Sequence, residues 1–82
     1  MILRVRLFAI LRERAGSDSI DLELAEGATV ADAIRTLSHL PSLAGVLERL
    51  PVQMAVNREY ATIETSLLPE DELALIPPIS GG

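Results

Sequence analysis

Residues 19–41, SIDLELAEGATVADAIRTLSHLP, change period once, and that change decides the fold. From 19 to 24 the chain alternates, with Ile20, Leu22 and Leu24 inward and Asp21 and Glu23 outward, the pattern of a strand with one buried face. Glu26-Gly27-Ala28 turns the chain, and Thr29 opens a helix. Thr29-x-x-Asp32 has the form of a capping box, in which the hydroxyl accepts from an orphan amide and the carboxylate sits at the positive helix end. Val30, Ala33, Ile34, Leu37 and Leu40 then recur at helical spacing, opposite Asp32, Arg35, Thr36 and His39, until Pro41 stops the run.

Outward from this unit, residues 1–11 alternate as a first strand, with Leu3, Val5, Leu7 and Ala9 on one face and Ile2, Arg4, Arg6 and Phe8 on the other. Residues 12–18 break the alternation as a charged turn or a short helical one, so the first two strands are expected to pair as an antiparallel hairpin. Beyond Pro41, residues 42–50 suit a second, shorter helix cut by Pro51, and 52–57 a strand. Asn57-Arg58-Glu59 is a turn, because asparagine tolerates the left-handed backbone. A short strand over 60–63, a loop over 67–72 and a buried strand over 73–76 complete the order. The class is α+β, one sheet with a helix across its face. The right-handed crossover rule places the first and last strands side by side in the middle. Residues 1–76 read as one domain and 77–82 as a flexible, extended C-terminal tail.

Composition narrows the chemistry. Eighty-two residues allow one small core, and 49% hydrophobic against 23% charged is a globular balance. No cysteine means no disulfide framework, thiolate metal site or cysteine nucleophile. The sequence also has no lysine, which removes the Gly-Lys-Ser/Thr phosphate loop and Schiff-base chemistry. A net charge of −5 argues against nucleic acid and anionic membrane, and for a partner with a basic face. No apolar run approaches the ~20 residues that span a bilayer and no signal-peptide pattern is present, so a soluble, cytoplasmic protein is expected.

A conventional active site is hard to assemble. His39, the only imidazole, falls on the polar side of the main helix near its C-terminal end, where the helix dipole accounts for it. Glu70-Asp71-Glu72 reads as a solvated acidic loop and not as a metal site, and Gly16, Gly27 and Gly45 are too scattered to cradle phosphate. Arg4 and Arg6 read as surface charges. What remains is the end of the chain. Pro77-Pro78 stiffens its base, six residues reach ~20 Å when extended, and Gly81-Gly82 is slim enough to thread a narrow channel. The special group there is the carboxylate of Gly82. A carboxylate must be activated before it reacts, usually by adenylation, and the ATP would belong to a separate enzyme.

Three stretches carry a family resemblance. They are residues 5–16, VRLFAILRERAG, residues 56–60, VNREY, and residues 68–82, LPEDELALIPPISGG. Together they resemble the small, sulfur-carrying subunit of molybdopterin synthase, a ubiquitin-like β-grasp family. Pro-Pro-aliphatic-Ser-Gly-Gly after an Asp-Glu strand start is the most specific piece. At Glu70 the chain departs from the family, which often has glycine before the aspartate, and this touches turn geometry alone.

The resemblance implies that Gly82 is adenylated by a ubiquitin-activating-like adenylyltransferase and converted to a thiocarboxylate. The tail, Pro77, Pro78, Ile79, Ser80 and Gly81, would then enter a large subunit within a heterotetramer. There the sulfur passes to a cyclic pterin phosphate precursor to build the molybdopterin dithiolene. The chain would not be catalytic alone and would bind no cofactor or metal itself. Phe8, Ile10, Arg12 and Ile76 are the candidate docking residues, with Phe8 and Ile10 on the mixed face of the first strand. The alternatives are a sulfur carrier for thiamine biosynthesis, a ubiquitin-like protein modifier, and a β-grasp binding module with an incidental tail.

Overall fold

The first strand is shorter than its alternation suggests. In the computed structural model, which describes residues 1–78, β1 (Ile2–Leu7) ends where Ala9 takes a positive φ of 51° and turns the chain into α1 (Ala9–Ala15). Residues 9–15 are AILRERA, mostly strong helix formers, and Gly16 closes the helix at φ 75° by donating its N–H to the Arg12 carbonyl. The alternation through Leu11 coincides with helical spacing, since Leu7 and Leu11 are both buried. The charged segment is thus a two-turn helix that begins earlier than expected.

Next come β2 (Ser19–Glu23), α2 (Val30–Leu37), α3 (Pro41–Arg49), β3 (Gln53–Val56), β4 (Glu59–Ala61) and β5 (Glu72–Ile76). The sheet order is β2-β1-β5-β3-β4. β1 pairs antiparallel with β2, with Val5 opposite Ile20, and parallel with β5, with Val5 opposite Leu73. The first and last strands therefore lie side by side in the centre, as expected. Leu3, Val5, Leu7, Leu22, Leu73 and Leu75 form the sheet side of the core, and Leu11, Val30, Ala33, Leu37 and Leu43 cover them from the helices.

The capping box of α2 is complete. Asp32 Oδ2 accepts from the Thr29 N–H at 2.9 Å and Thr29 Oγ1 accepts from the Asp32 N–H at 3.4 Å. That backbone hydrogen bond from Thr29, helped by the Thr29 hydroxyl and the Arg35 guanidinium, holds the Asp32 carboxyl below its ordinary pKa. The helix stops at Leu37, so His39 and Leu40 lie beyond it, in an exposed turn. Two effects end it early: Ser38 Oγ donates to the Arg35 carbonyl at 2.7 Å, and Pro41 holds Leu40 extended at φ −79°, ψ 124°. Pro41 also starts α3, where its missing N–H costs nothing.

Asn57 and Arg58 both take positive φ, 51° and 71°, in the two-residue turn between β3 and β4. Asn57 Nδ2 donates to Asp71 Oδ1 at 2.8 Å, and Asn57 Oδ1 accepts from the Glu72 N–H at 3.0 Å. Asp71 Oδ2 also accepts from the Leu68 N–H at 2.8 Å. The acidic loop is consequently a fastened turn in which Asp71 holds backbone and side chain together. Glu70, where the family resemblance expects glycine, sits at φ 72°, in the left-handed region that costs a side-chain-bearing residue ~1–2 kcal/mol. Leu67, placed in a loop by its neighbours, is 1% exposed and belongs to the core.

Candidate docking surface and C-terminal exit

Parallel pairing fixes where the tail leaves. Leu7 stands opposite Leu75 as the last pair of the two strands, so Phe8 and Ile76, one residue further along each, lie at the same pole of the sheet. β3 runs the other way, so its first residue, Gln53, pairs with Ile76 there too. Pro77 is buried and Pro78 exposed, which makes the boundary between the two prolines the exit point. Ile79, Ser80, Gly81 and Gly82 lie outside the described residues.

Beside the exit runs a groove of 510 Å³, lined by Pro51, Val52, Gln53, Tyr60, Ile76, Pro77 and Pro78. Its walls carry no ionised side chain. Tyr60, opposite Ala55 in the hairpin, is 79% exposed, the highest value among the large hydrophobic residues described. Next to the groove the Arg6 guanidinium lies 5.3 Å from the centre of the Phe8 ring, a cation–π contact that restrains the ring. Arg6 also reaches Glu72 at 4.0 Å, and Arg4 reaches Asp21 at 3.8 Å, both surface pairs of small energy.

The four expected docking residues separate into two groups. Phe8 and Ile76 lie at the exit pole, each half-buried. Ile10 does not share the β1 face with Phe8, because the chain has already entered α1; it lines a cleft between α1 and α3 instead. Arg12 is exposed on α1. Tyr60, Pro51 and Val52 were not anticipated, although a lone tyrosine on a short edge strand was a signal available from the sequence. Among the described residues no three His, Asp or Glu side chains converge as a metal would require, and no helix is long and apolar enough to cross a membrane. The pole can therefore present an apolar surface and a chain end to another molecule.

Residues 5–82 match the model of the ThiS family. The molybdopterin synthase sulfur carrier subunit of Arabidopsis thaliana is 41% identical over 81 residues, covering 98% of this chain and 82% of that protein. The crystal structure of small archaeal modifier protein 1 of Haloferax volcanii superimposes with a TM-score of 0.84 at 30% identity, over 95% of this chain and 98% of that one. A complex of subunits 1 and 2 of the molybdopterin-converting factor of Helicobacter pylori shares the fold, with a TM-score of 0.73 at 20% identity over the whole of both chains. Sheet order, register and sequence agree: the chain has the ubiquitin-like β-grasp fold and belongs to the ThiS family.

Proposed function

We propose that the chain is the sulfur carrier subunit of a molybdopterin synthase. In this reading a separate, ubiquitin-activating-like adenylyltransferase spends ATP to adenylate Gly82, and sulfur displaces AMP to leave a thiocarboxylate. The terminal sulfur, polarisable and anionic at neutral pH, is the nucleophile that attacks a cyclic pterin phosphate precursor, and hydrolysis of the resulting acyl–sulfur bond leaves the sulfur on the precursor and returns Gly82 as a carboxylate. A large subunit, two copies of each chain forming a heterotetramer, supplies the phosphate-binding and acid–base groups. Building a dithiolene requires two such deliveries.

The observation that supports this reading most is the exit geometry. The central strand β5 runs directly into Pro77-Pro78 beside an apolar groove, at the pole where β1 also ends. A partner that covers this groove receives the chain end without disturbing the core. Further support comes from the full-length likeness to the Arabidopsis thaliana subunit. The absence of cysteine and lysine from the sequence fits as well, since no side-chain thiol or amine competes for the activated terminus.

The test is the mass of the intact chain after incubation with ATP, a sulfur donor and the host's activating enzyme. Exchange of one terminal oxygen for sulfur is expected. An unchanged chain, under conditions where an established carrier is converted, contradicts the reading. Adding the large subunit and the pterin precursor then separates this carrier from one that serves thiamine biosynthesis. Stable adducts of the chain on lysines of other proteins would favour the modifier reading, to which the archaeal relative's name points.

A further inference from the structure

Three of the seven arginines are ion-paired within the fold: Arg4 with Asp21, Arg6 with Glu72 and Arg35 with Asp32. Arg14 and Arg49 have no such partner among the described residues, and both line the same 320 Å³ cleft between α1 and α3. Ile10, Val46 and Leu50, all half-buried, give the cleft apolar walls, and Gly45 contributes to its lining. Two exposed cations over aliphatic walls, on a chain of net charge −5, form a local exception to the surface around them.

Gly45 makes the cleft more than a crevice between helices. It stands in the interior of α3, where glycine costs about 1 kcal/mol relative to alanine. Its backbone does not need glycine, for its φ is not positive. Packing does not need it either. A Cβ placed there meets a single side-chain atom, Nη2 of Arg49, at 3.4 Å, the edge of ordinary contact. The missing side chain has one evident consequence, more room in the cleft that Arg14 and Arg49 also line.

We propose that this cleft docks an acidic, aliphatic-bearing segment of the large subunit that receives the tail. Charge complementarity selects the occupant: carboxylates meet Arg14 and Arg49 while an aliphatic side chain enters over Gly45. Position supports it too. Leu50 lines the cleft and the next residue, Pro51, lines the groove at the tail exit, so one partner spans both. The acidic remainder of the surface repels the same segment and so fixes its orientation. The proposal takes only the existence of a tail-receiving large subunit from the sulfur-carrier reading.

The test measures affinity of the full chain for the large subunit and for the activating enzyme, at low and high salt, with thermal midpoints recorded for every variant. The double variant R14Q/R49Q and the single variant R58E have the same net charge, and Arg58 lies on the distant β3–β4 turn. The double variant is expected to bind the large subunit about tenfold more weakly at low salt, mainly through slower association, with the difference shrinking as salt rises, and a loss confined to the activating enzyme overturns the proposal. R58E should stay within about twofold of the parent, the range of an exposed charge. Gly45→Leu should weaken the same binding at an unchanged or higher midpoint, because it fills the cleft while favouring the helix. Equal losses in R14Q/R49Q and R58E, or full affinity in Gly45→Leu, overturn the proposal. It is also overturned if inorganic phosphate saturates the cleft while partner affinity ignores Arg14 and Arg49, which would make this a small-anion site. Thiocarboxylate formation is followed in parallel: its absence counts against the carrier reading, whereas unchanged affinities with conversion intact count against the cleft alone.

Discussion

The two poles of the sheet use their residues in opposite ways. At the pole holding the β3–β4 turn, Asn57, Asp71, Glu72 and the Leu68 backbone are joined by five hydrogen bonds, and three residues hold positive φ. At the exit pole, neither Phe8 nor any residue lining the groove makes a side-chain hydrogen bond among the described residues. One end is fastened by polar contacts within the chain; the other leaves apolar surface exposed beside a departing terminus. Polar groups satisfied internally have little left for a partner, while apolar surface gains by being covered. The contrast gives the proposed division of labour its physical basis, stability at one pole and recognition at the other.

The strongest challenge to that division is Asn57→Ala. It removes two side-chain hydrogen bonds and puts alanine at φ 51°, so a loss of about 2–3 kcal/mol is expected in denaturant unfolding, with transfer intact while the fold persists. Tyr60→Ala should do the reverse. A hot-spot aromatic removed from the groove is expected to cost about 2 kcal/mol of partner binding by titration calorimetry, with the thermal midpoint nearly unchanged. If each variant altered both properties alike, the poles would not be separable. Glu70→Gly sharpens the fastened end, relieving left-handed strain and raising stability by about 1 kcal/mol. The smallest effect concerns pH. Asp32 is held below its ordinary pKa chiefly by the Thr29 N–H, so its contribution is present above the unfolded-state value and is lost as pH falls through the folded one. The midpoint difference between the parent and Asp32→Asn should therefore exist at neutral pH and vanish in acid.

Much of this architecture was legible because it rests on local rules. The Thr29–Asp32 capping box, the Asn57 turn and the alternation of Leu3, Val5 and Leu7 each act within a few residues. The central pairing of β1 and β5 followed from chain connectivity. What escaped was decided elsewhere. Leu7 and Leu11 satisfy both a period of two and a spacing of four, and tertiary burial of Leu11 chose the helix, taking Ile10 away from Phe8. Leu67 looked like loop because its burial depends on backbone bonds to residues 28–31, contributed by distant sequence. Tyr60 joined the groove only through its pairing with Ala55. The terminal Gly81-Gly82, by contrast, was conspicuous in the sequence without any structure, since its proposed role needs a backbone and a carboxylate and no packing.

The central claim is that Gly82 carries the transferred atom while the rest of the chain positions it. Deleting Gly82 and assaying the complete reaction, activating enzyme, sulfur donor, large subunit and precursor together, tests it most directly. The account predicts no thiocarboxylate and no dithiolene product, with the thermal midpoint of the deleted chain within about 1 °C of the parent, since a residue with no side chain buries little. Product formed at the parental rate by the shortened chain would contradict it.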